Sequence, residues 1–240
     1  MFSAKAKMTT DGSPYQIIRD IRNTLCYLKQ SGCTGFDSSE ASLKILNQLG
    51  LSPQGVGVDR ETLADICTDL GDCTRCGLCD SRTHIVFGEG SPDARVVFVG
   101  EGPGFDEDKC GQPFVGAAGQ LLTKIIAAMR LTRETVYIGN IVKCRPPSNR
   151  NPEPEEIRQC LPFLKRQLDA IDPRVICALG SVAARALLDT KTPISRLRGQ
   201  FYDFSGIPVM PTFHPAYLLR NPEKKKEVWE DVQQIMKMLE

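Results

Sequence analysis

Apolar positions in the last two-thirds of the chain recur with two periods, and the two alternate. Residues 95–100 read RVVFVG, a short, nearly all-apolar run closed by glycine, as expected of a strand buried on both faces. Residues 116–131 then place Leu121, Leu122, Ile125, Ile126 and Met129 along one helical stripe. A second strand is predicted over 135–141. A helix is predicted over 153–171, where Pro152 and the acidic residues that follow suit a helix N-terminus. Residues 174–180 predict a third strand running into a helix at 181–188, and 208–213 a fourth strand. Val228, Val232, Ile235 and Leu239 mark a closing helix. Strands alternating with helices predict an α/β fold, a three-layer αβα domain around a central four-stranded parallel sheet. Ligands of such sheets meet the carboxyl ends of the strands, and the unusual residues of this chain stand there.

Residues 1–70 do not share the rhythm. They predict a helix over 15–30, a Gly/Ser-bearing break over 31–39, a weaker helical stretch ending at Gly50 and a short helix over 62–70. This is read as a mainly helical N-terminal extension without chemistry of its own, joined to a domain over 71–240. Cys26 and Cys33 read as ordinary thiols.

Charge adds little to this picture. The 30 basic and 29 acidic side chains nearly cancel, so only local patches bear on a nucleic-acid partner. The ten cysteines add more. The first ten residues, MFSAKAKMTT, contain no apolar signal segment, and no run approaches the ~18 apolar residues of a membrane span. These features point to a soluble, reducing, cytoplasmic setting, where cysteine clusters indicate metal or catalysis more often than disulfides.

Cys73 and Cys76 form a close pair, and Cys144 and Cys160 lie far along the chain beside segments that look built for chemistry. Cys73, Cys76 and Cys79 also match the start of a ferredoxin-type run, but Thr83 stands where its fourth cysteine belongs. Four thiolates hold either zinc or an iron–sulfur cluster, and spacing does not choose between them. After the first strand, GEGPG at 100–104 allows a sharp turn and close backbone approach, yet it is neither GxGxxG nor a P-loop. Phe114, in GQPFVG at 111–116, falls outside any helical stripe and is a candidate stacking ring. Asn140 ends the second strand, and its amide matches the donor and acceptor edge of uracil. The fourth strand delivers His214, one of two histidines, into HPAYLLR at 214–220. Leu218 and Leu219 there suit insertion into a base stack and Arg220 suits phosphate. His84 has no comparable setting.

Together these motifs, with VFGEG at 86–90 and NIVKCRPP at 140–147, resemble the family 4 uracil-DNA glycosylases over residues 71–240. The resemblance implies base-excision repair: a monofunctional enzyme that flips uracil from DNA, hydrolyses its N-glycosidic bond and leaves an abasic site. It implies a structural [4Fe-4S] cluster on Cys73, Cys76, Cys144 and Cys160, with Cys79 a bystander. Phe114 would stack on the flipped base, Asn140 would read its edge, and Gly100, Glu101 and Gly102 would contact it. His214 would hydrogen-bond uracil O2, Leu218 and Leu219 would fill the vacated space, and Arg220 would hold DNA. Glu107, Asn149 and Glu101 are the candidates for handling water, and one carboxylate would instead stand against the 5-methyl of thymine. Phe105 occupies a position often acidic in relatives and receives no role. A monomer at the nucleoid, acting on uracil-containing DNA without a membrane, completes the expectation. No replication or repair partner is identified.

Three alternatives remain at this stage. A relative that captures uracil covalently through a histidine in a basic insertion is disfavoured, because no such insertion or histidine lies between Cys144 and Cys160. A cluster-bearing module without activity would not need Phe114, Asn140 and His214 together. A zinc-stapled domain would explain the cysteines but not the loop at 214–220.

Overall fold

In the computed structural model of this chain the described residues are 61–240. The helices expected over 15–30 and before Gly50, with Cys26 and Cys33, lie outside them. Six strands form one sheet in the order β1 (Glu89–Gly90), β3 (Tyr137–Asn140), β2 (Val96–Gly100), β4 (Val175–Leu179), β6 (Ile207–Thr212) and β5 (Tyr202–Phe204). The inner four are parallel, as the alternation predicts. The outer strands β1 and β5 pair antiparallel. They are not legible in the sequence, because two or three residues carry no period.

The described α-helices are α1 (Leu63–Leu70), α2 (Phe105–Cys110), α3 (Ala117–Ala128), α4 (Pro154–Ile171), α5 (Ser181–Leu188), α6 (Ile194–Leu197), α7 (Pro215–Arg220) and α8 (Lys225–Leu239). Successive residues of a strand face opposite ways, and β2 divides accordingly. Val97 and Val99 pack with Leu164 and Leu168 of α4 and Ala183 and Ala184 of α5. Val96 and Phe98 pack with Leu122 and Ile126 of α3 and Val228, Val232 and Ile235 of α8. Every residue of β2 and β4 is buried, which accounts for their uninterrupted apolar sequence.

Helix α4 begins where its capping chemistry sets it. The Glu153 N–H donates to Glu156 at 2.7 Å, Pro154 supplies the first helical φ, and Arg150 braces the Glu156 carboxylate at 2.6 and 2.9 Å. Helix α1 opens with a Thr62–Asp65 capping box and buries Ile66 and Leu70 with Phe163 of α4. The last helix of residues 1–70 is therefore seated on the sheet domain.

The parallel strands run β3-β2-β4-β6 in space but β2, β3, β4, β6 in sequence. The chain therefore leaves β2 toward one edge and returns past it to reach β4. This reversal lies beside β2 and opens a crevice at the carboxyl ends. Gly100, Asn140 and His214 are delivered to that crevice by β2, β3 and the segment after β6.

Candidate active site and cysteine cavity

A cleft of about 470 Å³ opens at the carboxyl ends of β2, β3 and β6. Glu101, Gly102, Glu107, Phe114, Asn140, Asn149, His214 and Arg220 all line it, so residues far apart in sequence share one site. Gly100 lies directly beneath, paired with Asn140 across β2 and β3. A Cβ on Gly100 would come within 2.5 Å of both Asn140 Oδ1 and the Phe114 ring. Only glycine leaves room for these two side chains.

Asn140 is 1% exposed. Its Oδ1 is the one buried side-chain oxygen or nitrogen among the described residues with no hydrogen-bond partner. Such an acceptor costs roughly 1–3 kcal/mol unless a ligand donor meets it. Phe114 lies beside His214, with ring centroids 5.6 Å apart. Its backbone is left-handed, at φ 54°, a conformation that a bulky residue adopts only when its surroundings impose it. Arg133 contributes by donating to the carbonyls of Phe114 at 3.1 Å and Pro113 at 2.7 Å.

His214 caps α7, with its Nδ1 accepting from the Ala216 N–H at 3.1 Å. That bond requires an unprotonated Nδ1 and leaves the proton on Nε2. Burial lowers the imidazole to about 4; Glu107 pulls it upward and Arg220 downward. The ring is therefore neutral at pH 7 with one N–H free to donate. Gly180, at φ 91°, makes room for it, since a Cβ there would lie 2.9 Å from the His214 Cβ. Behind β6, the Thr212 hydroxyl and Arg198 both donate to the Asp231 carboxylate.

The three water-handling candidates separate clearly. Glu107 accepts from the backbone N–H groups of Gly104, Val115 and Gly116 at 3.1, 2.9 and 3.0 Å. Its carboxylate thereby ties the turn after β2 to the start of α3. Asn149 is exposed, and its Oδ1 accepts from Arg145 Nε at 2.7 Å. Glu101 lines the cleft with its carboxyl raised above the ordinary value by burial, the condition of a group suited to taking a proton.

One expectation changes. Leu218 is 1% exposed and belongs to the core with Val228 and Val232, so it does not stand ready to enter a base stack. Leu219, its neighbour, is 47% exposed. Consecutive residues of a short helix point in different directions, and the Leu-Leu pair hides this in sequence. His84 stays apart from the cleft, its Nδ1 facing the Asp108 carbonyl at 2.9 Å.

A second cavity lies behind the loop that follows β3. Cys73, Cys76, Cys144 and Cys160 all line it, with apolar walls from Leu70, Leu78, Ile85 and Phe163. Cys79 is absent from the lining, and its thiol donates to Asp80. Three cationic side chains, Arg75, Arg82 and Lys143, complete the wall, a setting that offsets thiolate charge. N–H groups approach three sulfurs: Arg75 to Cys73 at 3.3 Å, Arg82 to Cys144 at 3.6 Å and the Lys143 backbone to Cys160 at 3.2 Å. Among the described residues no three His, Cys, Asp or Glu side chains converge tightly enough to hold a single metal ion. Four thiols, apolar walls and N–H···S contacts form a donor set that fits an iron–sulfur group.

The two cavities are joined by residues to which the sequence gives no role. Lys143, buried at 1% exposure, donates through Nζ to the Asn140 carbonyl at 3.0 Å and to Gln167 at 2.6 Å. Gln167 in turn donates to Tyr137 and to the Phe87 carbonyl, both at 3.0 Å. Arg133, Gln167, Gly180 and Asp231 act through contacts distant in sequence, so no local motif marks them.

Residues 87–233 match the model of the uracil DNA glycosylase superfamily. A type-4 uracil-DNA glycosylase of Thermotoga maritima is 50% identical over 179 residues, 72% of this chain and 93% of that protein. One from Archaeoglobus fulgidus is 45% identical over 183 residues, covering 73% and 92%. A type-5 uracil-DNA glycosylase of Pyrobaculum aerophilum is 33% identical over 146 residues, covering 54% and 64%.

Proposed function

The chain belongs to the type-4 uracil-DNA glycosylases and excises uracil in DNA repair, and we propose how its own residues divide that work. Uracil leaves the base stack and enters the cleft. Phe114 lies against the flipped ring. The unpartnered Oδ1 of Asn140 accepts from uracil N3–H, and the amide nitrogen donates to O4; this orphaned acceptor carries the reading. Gly100, Glu101 and Gly102 bring backbone close to the base, and Leu219 and Arg220 engage the DNA around the gap.

As the bond from N1 to the sugar breaks, its electrons pass into the uracil ring and charge gathers on O2. Neutral His214 donates from Nε2 to that oxygen, an interaction that strengthens toward the transition state. Glu101 orients the water that attacks the sugar carbon and takes its proton, with Asn149 as a second polar contact. Glu107 positions the walls of the cleft through its three backbone bonds. Cys73, Cys76, Cys144 and Cys160 would hold a [4Fe-4S] cluster, whose contribution would be structural. Residues 1–70 are an extension ending in α1, and the protein works as a monomer on nucleoid DNA in the cytoplasm.

The test is alkaline strand cleavage of labelled DNA with one U opposite G, beside a T·G control. Cleavage confined to the uracil strand is expected. Absence of cleavage by protein with its full visible absorbance would refute the catalytic reading.

A further inference from the structure

Phe105 belongs to none of the three apolar clusters, and at 49% it is the most exposed of the large apolar side chains described. It opens α2 beside Gly104 and two residues before Glu107, both of which line the cleft. Two cations lie against its ring: Lys109 Nζ is 4.5 Å and the Arg145 guanidinium carbon 5.0 Å from the ring centroid. Arg145 also holds Asn149 of the cleft lining. The adjacent Asp106 is turned aside, since a Cβ on Gly116 would lie 2.8 Å from its Oδ2. An exposed aromatic ring flanked by two cations thus continues the rim of the uracil cleft.

We propose that Phe105 is a stacking platform for an unpaired base next to the uracil on the same strand, with Lys109 and Arg145 taking the adjoining phosphates. This deepens the glycosylase reading and rests on it. In the free protein the cations shield the ring. A strand offers each group a better partner, a base face for phenylalanine and phosphate oxygens for lysine and arginine. The preference follows from access, because in an intact duplex the faces of a neighbouring base are already covered. The platform therefore favours uracil in single-stranded DNA.

The test is fluorescence anisotropy with a labelled single strand carrying a stable abasic-site analogue flanked by thymidines, and with the same strand in duplex. Phe105→Ala is expected to weaken single-strand binding about tenfold and duplex binding by less than about threefold, as loss of one base–aromatic contact implies. Phe105→Trp should restore single-strand binding, and KM for excision from single strands should follow the same order. Salt separates the partners: Lys109→Ala should lower the slope of log K against log salt by about 0.7, whereas Phe105→Ala should leave it unchanged. Equal weakening on both substrates, or a Phe105→Leu variant that binds single strands like the parent, would overturn the platform. Failure of the parent protein to excise uracil from any DNA would instead remove the glycosylase reading itself.

Discussion

The cleft and the cysteine cavity share the loop after β3 as a common wall, yet they are held in opposite ways. Around the cleft, charged groups latch backbone and side chains: Glu107 gathers three N–H groups, Arg133 two carbonyls, and Asp231 the Thr212 hydroxyl and Arg198. These bonds are complete within the protein, so the catalytic geometry is set before substrate arrives. Around the cysteines, segments at 73–76, 144 and 160 converge on one space, where N–H groups of Arg75, Arg82 and the Lys143 backbone approach sulfur, while Arg82 also reaches the Cys73 carbonyl at 2.6 Å and the Lys143 ammonium links the Asn140 carbonyl to Gln167. One site is built to receive a ligand without changing. The other gathers thiols that a shared cofactor would join.

The largest effects should come from breaking the second kind of site. Cys144→Ser is expected to abolish the visible absorbance and loosen the loop after β3, lowering excision by roughly a hundredfold or more, because binding at such a site is also folding free energy. Cys79→Ser should leave absorbance and thermal midpoint as they are. The reverse result would give the ligand position to Cys79. At the cleft, His214→Ala is expected to lower kcat by about 10²–10³, the usual cost of losing one donor to a developing oxyanion, while absorbance stays intact. A near-normal kcat would take His214 out of the chemistry. Arg133→Ala touches neither substrate nor sulfur. Its loss should relax the left-handed Phe114 and lower kcat/KM by about tenfold, as for one or two lost charge-assisted bonds. Restoration of half the loss by Arg133→Lys, with absorbance constant throughout, would mark a positioning role.

How much of this is legible beforehand follows the same division. The four inner strands show in the sequence because residues such as Val96–Gly100 are buried on both faces and leave no polar interruption. Asn140 and His214 stand out because each closes or follows a buried strand, and Phe114 because it lies in a glycine- and proline-bearing loop outside any helical stripe; the fold brings all three to one cleft. The latches do not show. Arg133 looks like any surface arginine until the fold brings it to Pro113 and Phe114, and Lys143 is disguised by its place between apolar residues and a cysteine. Leu218 misleads for the converse reason: its pairing with Leu219 reads as a wedge, whereas helix α7 turns one leucine inward. Chemistry carried by one residue type at one position can be read from the chain; chemistry carried by a contact needs the fold.

The smallest effect, and the finest test of a preset cleft, is the pH profile. His214 is held neutral down to about 4, chiefly by burial. Its proton lies on Nε2 while Nδ1 accepts from Ala216. Falling pH protonates Nδ1 only as it passes about 4, displacing the Ala216 N–H and withdrawing the cap of α7. No inflection from this residue should therefore appear near 6.5, the ordinary imidazole value. Glu101 moves the other way, since burial raises its carboxyl above the ordinary 4.5. As base it must be ionised, so activity is lost as pH falls through that raised value, before His214 titrates. The single-turnover rate should therefore show an acid limb above 4.5, and Glu101→Gln should slow the reaction and move the remaining limb down toward about 4. A limb at 6.5 that vanishes in His214→Asn would mean that the imidazole is neither buried nor capped as described, and that the cleft forms only when uracil enters it.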